Sequence, residues 1–233
     1  MRNKLTNTYL VIIPARGGSK SIKNKNLQLF DGISLIGNAI NKFKGLEYKF
    51  DIIVSSDSEL ILNEAKKFGA ISILRPNSIS NDNATSESAI NHAIGEYEKL
   101  NREFNSIIFH QCTSPLISKK TIVKIIKEFE MSPSNTIFTV SEEYNPFWLY
   151  NEKSNKYNIS SSINKIRGPR QKRKPNMIET GGIYIFDKKQ FELSGNRFNG
   201  EPIPFVLNKI ESLDIDEPTD LEIAKSLLKL TKK

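Results

Sequence analysis

The sequence predicts an α/β domain with a mainly parallel central sheet flanked by helices, and three observations carry that prediction. Apolar runs of strand length alternate with amphipathic runs of helix length through the first 140 residues, the rhythm of βαβ units. Polar and glycine-bearing clusters follow the strand-like runs, where open α/β sheets collect their ligands. No apolar run approaches the ~20 residues of a membrane span, so the helices read as covers for a sheet.

The elements follow in order. Tyr9–Ile13 is uniformly apolar and reads as a short buried strand. Leu35–Phe43 places Leu35, Ile36, Ala39, Ile40 and Phe43 on one helical face. Asp51–Ser55 is a second strand, and Glu59–Phe68 a second helix stopped by Gly69. Ala70–Leu74 supplies a strand, Ser86–Leu100 a helix, Ser106–Phe109 a strand, Thr121–Phe129 a helix and Thr136–Val140 a strand. Between about 142 and 176 the alternation breaks into polar sequence containing Pro146, Pro169 and Pro175, which fits an arm or lid better than another βαβ unit. Strand character returns at Gly182–Phe186, and Pro218 starts a final helix, Thr219–Leu230.

Composition removes several function classes. A single domain over 1–233 is long enough for a sizeable core. One cysteine excludes an internal disulfide framework, and with two histidines it argues against structural zinc. Tyr9–Ile13 is too short for a signal-peptide core, so a cytoplasmic location without membrane association is expected. His92 reads as a helix-face residue and His110 as packing at a strand end; no Gly-x-Ser-x-Gly elbow is present. Any catalysis therefore falls to lysines, arginines, carboxylates and a hard metal. The net charge of +8 suits anionic ligands. Its one dense run, Lys165 to Lys174, lacks interleaved aromatics, so no nucleic-acid partner is expected.

The strand exits carry the chemistry. After the first strand, Arg16 to Asn26 packs an arginine, Gly17-Gly18, Ser19 and the lysines Lys20, Lys23 and Lys25 into eleven positions. Bare backbone amides and fixed positive charge in one turn suit a polyphosphate. Ser56-Asp57, Arg75-Pro76 and Gln111-Cys112-Thr113-Ser114-Pro115 follow the next strands. Near the other end, Asp214-Ile215-Asp216 puts two carboxylates on one side of an extended segment. Such a pair can hold one Mg²⁺ while water and phosphate complete its octahedron. It can equally belong to a helix-capping cluster with Glu217 and Asp220.

The combined motifs resemble the N-acylneuraminate cytidylyltransferases, also called CMP-sialic acid synthetases, and relatives acting on other nine-carbon 2-keto acids. The carriers are Ile12 to Lys20 with Lys25-Asn26, Val54 to Asp57, Leu74-Arg75-Pro76, Asp82 to Ser86, Gln111 to Leu116, Pro169-Arg170-Gln171, Thr180 to Tyr184 and Ser212 to Asp216. The resemblance spans essentially the whole chain and implies a Rossmann-like nucleotide-diphospho-sugar transferase fold with an inserted dimerisation arm at 142–176. It implies Mg²⁺-dependent transfer of CMP from CTP to the C2 hydroxyl of a nonulosonic acid, releasing pyrophosphate, in a homodimer. Arg16, Ser19, Lys20 and Lys25 would hold the triphosphate, and Asn26, Arg75, Ala84 and Ser86 would surround cytosine and ribose. Gln111, Arg170 and Tyr184 would face the sugar, and Asp214 and Asp216 would hold the metal. Arg16, Lys20, Gln111 and Asp216 would be the catalytic set.

Two departures bear on the sugar. Trp148 stands where several sialic acid enzymes carry a lysine, and Thr180-Gly181 replaces a commoner Asn-Gly. Legionaminic, pseudaminic or another modified acid is thus as plausible as N-acetylneuraminate, while Trp148 can equally be packing within the arm. The alternatives are a cytidylyltransferase for the eight-carbon Kdo acid, whose usual Arg-Tyr-Gly-Ser-Thr/Ser-Arg turn lacks this lysine, and a nucleotide- or RNA-binding module without turnover.

Overall fold

The computed structural model describes residues 8–133, 135–159, 169 and 174–231. In chain order the first half runs β1 (Thr8–Pro14), β2 (Leu29–Phe30), β3 (Ile33–Ser34), α1 (Leu35–Asn41), β4 (Lys49–Ser56), α2 (Glu59–Lys67), β5 (Ile71–Leu74), α3 (Ser86–Glu98), β6 (Ser106–His110) and α4 (Lys119–Met131). The second half runs β7 (Ile137–Glu143), β8 (Trp148–Asn151), β9 (Lys156–Ile159), β10 (Asn176–Asp187), α5 (Lys188–Ser194), β11 (Ile203–Val206) and α6 (Pro218–Thr231).

Seven strands form the central sheet in the order β11-β7-β10-β6-β1-β4-β5. β1 pairs in parallel with β4 and β6, β4 with β5, and β11 with β7, whereas β10 runs antiparallel between β6 and β7. The expected mainly parallel sheet is present, with one reversed strand. Side chains alternate across it. Tyr9, Val11 and Ile13 of β1 enter one apolar cluster with α1, α2, α4 and α6, while Leu10 and Ile12 enter another with Ile90, Ala93, Ile94 and Tyr97 of α3. Burial on both faces explains why β1 reads as an unbroken apolar run. Because the chain builds outward from β1 through β4 and β5 on one side and then crosses back to β6 on the other, the crevice beyond β1 is the switch point where such sheets bind ligands.

Three elements lack a sequence-level signal. The β2–β3 hairpin, α5 and β11 are short, and their apolar residues are too few to establish a period. The excursion expected at 142–176 leaves and returns at Glu143 and Asn176, which lie opposite each other in the β7–β10 register. Within it, β8 and β9 form a separate antiparallel hairpin. The basic residues Lys165, Arg167, Arg170, Lys172 and Arg173 lie outside the described residues. Among the described residues no helix is long and apolar enough to cross a membrane.

His110 ends β6 fully buried, against the Phe43 ring. Its Nδ1–H donates to the Gly182 carbonyl at 2.8 Å. Burial lowers its pKa from 6.5 to about 4. The unfolded chain takes up that proton near pH 6.5 whereas the fold resists it until about pH 4. His110 therefore contributes stability that is complete above 6.5 and is lost as pH falls toward 4, on the order of 3 kcal/mol. His110→Asn retains a donor and removes the titration. Urea unfolding across this range should show a shallower acid loss in the variant; identical slopes would refute the assignment.

Candidate active site

The turn after β1 is held open by its neighbours. Gly17 N–H donates to Asp57 Oδ1 at 2.8 Å, just beyond β4. A Cβ on Gly17 would lie 2.9 Å from Ser58 Cβ, so the close approach requires glycine there. Further along, Asn24 takes a left-handed conformation, and Asn26, buried, donates its side-chain amide to the Arg16 carbonyl at 3.0 Å. Asn26 lines the cleft as the brace that folds the turn back on itself.

That geometry presents three cations. Arg16 and Lys20 both engage Asp82, at 2.8 and 2.6 Å. Lys25, mostly buried, donates to the Ile215 carbonyl at 2.9 Å and meets Asp216 Oδ1 at 3.2 Å. Ser21 Oγ donates to the Asp216 carbonyl. The cationic turn and the acidic segment thus share one cleft in direct contact.

The cleft has two adjoining cavities that share Pro14, Arg16 and Gln111. One, of about 340 Å³, is lined by Ser19, Lys20, Lys25, Asn26, Thr113 and Asp216. The other, of about 310 Å³, is lined by Arg75, Ser80, Asp82, Ala84, Ser86 and Phe109. Arg75 is buried, with Nε on Ser80 Oγ at 3.1 Å. Burial pulls its pKa down, and the Asp57 carboxylate works against that. Thr85 caps α3 by accepting from Ser88 N–H, which fixes Ala84 and Ser86 at the cavity wall.

On the far wall, Gly181 at φ +73° leaves the space beside it to the Gln111 side chain, 3.6 Å from where a Cβ would stand. Gly182 permits a closer approach: a Cβ there would lie 2.7 Å from Ile117 and 3.1 Å from Ser114 Oγ. Ser114 Oγ in turn donates to Asp214 Oδ1 at 3.1 Å, and Ile215 N–H to the Thr113 carbonyl at 2.9 Å. Ile215 is fully buried, so the alternating Asp214 and Asp216 project away from the core together. Burial pushes the Asp214 pKa up, with the Asp216 charge adding to it.

The helix-capping alternative has its own residue. Asp220 Oδ2 accepts from the N–H groups of Asp216 and Glu217 at 3.0 and 2.7 Å, so the cap does not use the Asp214 or Asp216 carboxylate, and Asp216 lines the cleft. Among the described residues no group of three or more His, Cys, Asp or Glu gathers as a metal site. Two carboxylates, one in a desolvated setting that a cation would relieve, fit an ion that keeps water and phosphate in its shell, as Mg²⁺ does.

Of the expected sugar contacts, Gln111 lines both cavities and Tyr184 lines neither. Tyr184 is buried behind the cleft against Phe109 and Phe198, with Arg197 over its ring at 4.5 Å and its hydroxyl turned to Glu179. Its pKa is raised by burial and then by Glu179. Arg170 lies outside the described residues. Trp148 is exposed on the β8–β9 hairpin, away from the cavity linings. Thr180 Oγ1 donates to Thr139, so this substitution serves strand packing. Asp57, Asp82 and Ser114 were missed as individual site residues. Each was visible only as a polar residue within a strand exit or quoted motif.

The chain is similar to several known proteins along most of its length. A family model described as "Cytidylyltransferase" matches residues 10–231. The chain is 31% identical to the pseudaminic acid cytidylyltransferase of Campylobacter jejuni, over 95% of this chain and 96% of that one. It is 27% identical to the CMP-N,N'-diacetyllegionaminic acid synthase of Legionella pneumophila, with coverage of 95% and 96%. It is 28% identical to the N-acylneuraminate cytidylyltransferase of Escherichia coli over 96% of this chain but 52% of that protein. Its fold matches a solved CMP:2-keto-3-deoxy-manno-octonic acid synthetase in complex with CTP, with TM-score 0.67 at 15% identity over 97% of this chain and 100% of that one.

The Asp57 anchor is testable without any nucleotide. Asp57→Ala removes the acceptor for Gly17 N–H and should weaken calorimetric binding of inorganic triphosphate about fivefold to tenfold. Unchanged affinity would show that the turn keeps its shape without Asp57.

Proposed function

The chain belongs to the cytidylyltransferase family and is a nucleotidyltransferase, and on that premise we propose that it transfers CMP from CTP to the C2 anomeric hydroxyl of a nonulosonic acid, releasing pyrophosphate. The observation that carries this reading is the single cleft that Arg16, Lys20 and Lys25 share with Asp216, with Asp214 two residues away on Ser114 and Gln111 in the lining of both cavities. The relatives named for pseudaminic, legionaminic and N-acylneuraminic acids support the acceptor class.

In this reading the cavity with Arg75, Ala84 and Ser86 takes cytosine and ribose, Ala84 leaving room for the base. Arg16, Lys20, Ser19 and Lys25 take the phosphates. Arg16 can fork two oxygens, whereas the lysines act as point charges. Their charge stabilises the pyrophosphate as it leaves in line with the attacking hydroxyl. Gln111 cannot take a proton at neutral pH, so its part is to orient the sugar hydroxyl by hydrogen bonding. Asp214 and Asp216 would hold Mg²⁺, which when bound supplies charge neutralisation at the α-phosphate. Asp216 is exposed and Asp214 is braced on Ser114, so both would be the residues to hold that ion.

We assign the arm to a homodimer, with Arg170 reaching the sugar carboxylate of a partner's cleft. Support comes from the β8–β9 hairpin, where Trp148 sits opposite Ile159 and Tyr150 opposite Tyr157 with ring centroids 5.3 Å apart. Trp148, Tyr150 and Tyr157 are each more than half exposed in the protomer, as expected of a face awaiting a partner.

The deciding experiment is pyrophosphate release with CTP, Mg²⁺ and a panel of pseudaminic, legionaminic and N-acetylneuraminic acids. Release with one or more acids is expected, while none with any acid refutes the proposal. Replacing CTP by UTP or ATP should abolish it. Asp216→Asn should lower kcat by on the order of a hundredfold with CTP binding nearly kept; wild-type turnover would remove Asp216 from the catalytic set. Dilution that separates subunits should lower specific activity, and a fully active monomer would contradict the shared cleft.

A further inference from the structure

The two cations at the mouth of the phosphate-binding turn are already occupied by an anion of the protein itself. Asp82 Oδ1 accepts from Arg16 Nη1 at 2.8 Å, and Asp82 Oδ2 meets Lys20 Nζ at 2.6 Å. One carboxylate offers one oxygen to each cation, as an edge of a phosphoryl group would.

The turn that carries Asp82 is braced without that side chain. Ser80 Oγ donates to the Pro76 carbonyl at 3.0 Å, Asn81 Nδ2 to the Ser78 carbonyl at 3.1 Å, and Ala84 N–H to the Asn81 carbonyl at 3.1 Å. Asn83 N–H donates to Asn81 Oδ1 at 3.0 Å. The Asp82 side chain is 53% exposed. It can therefore turn out to water by rotation about its own bonds while Ala84 and Ser80 keep the other cavity in shape. Its two ion pairs are water-exposed and individually weak, so a polyphosphate can displace it. A neutral nucleoside gains nothing from doing so.

We propose that Asp82 is a specificity-determining residue for the phosphoryl chain: its carboxylate fills the triphosphate seat in the empty enzyme, yields only to ligands that bring several negative charges to Arg16 and Lys20, and returns as pyrophosphate departs. The inference rests on reading this cleft as the CTP site. Asp82 competes for the seat, so it weakens the binding of both substrate and product phosphates and favours release of pyrophosphate. Asp82 also lines the cavity read as the base site, but a neutral nucleoside brings no charge to Arg16 and Lys20 and so does not compete for them.

The test is calorimetric binding of cytidine, CMP, CTP and inorganic pyrophosphate to the full chain, as wild type, Asp82→Asn and Asp82→Glu. Asp82→Asn should bind pyrophosphate and CTP about threefold to tenfold tighter, bind cytidine unchanged, and be inhibited by correspondingly lower pyrophosphate. CMP should change less than CTP. Asp82→Glu keeps the charge and should stay near wild type. Pyrophosphate affinity that is unchanged or weaker in Asp82→Asn overturns the proposal, as does equal tightening in Asp82→Glu. If the wild type binds no CTP but the pyrophosphate shift appears, the nucleotide reading falls and the role of Asp82 stands. CTP binding without the shift gives the reverse.

Discussion

Lys25 spans 190 residues of sequence to reach the backbone of Ile215 and the carboxylate of Asp216. The cleft depends on that link. It fastens the cationic turn after β1 to the acidic segment before α6, and those two segments share no strand pairing. Ser21 adds a second tie to the Asp216 carbonyl. A mostly buried ammonium requires such partners, because desolvating it without an acceptor is costly. The same contact that satisfies Lys25 sets the spacing between the positive and negative walls.

The acidic wall is positioned in turn by backbone closeness. Gly182 accepts the Gln111 N–H at 3.2 Å and the His110 imidazole at 2.8 Å through one carbonyl. Its missing side chain lets Ser114 and Ile117 pack against β10. Ser114 then carries Asp214, and Glu211 accepts from Ser118 N–H and Thr121 Oγ1 at the start of α4. Beneath this layer the half-buried Lys42 sets its ammonium on the Pro115 carbonyl at 2.6 Å, and desolvation lowers its pKa to about 8. A loop that exposes Gln111 at its front is thus fixed from behind by hydrogen bonds that water cannot easily replace.

The two walls differ in what occupies them before any ligand arrives. The acidic wall holds its carboxylates on Ser114 and Lys25, whereas the cationic mouth is closed on Asp82. The adjoining cavity, whose wall includes Asp82, owes its shape to a self-braced turn and the capped start of α3. A braced backbone and half-exposed ion pairs coexist here because they use different atoms of one loop.

The sequence by itself determined the elements that line the cleft. Burial on one or both faces writes a local period into the chain, so β1, α1, β4, α2, β5, α3, β6, α4 and α6 were legible within a few residues at their ends. The residues beyond β1, β4, β5 and β6 were legible too, because a parallel sheet sends all four ends the same way. Tertiary structure alone decided who meets whom: that Asn26 braces Arg16, that Tyr184 turns into the core, that β10 runs backward, and that Asp82 sits between Arg16 and Lys20. The last two depend on strand order, register and contacts between residues far apart in the chain, and none of the four is written into a local period.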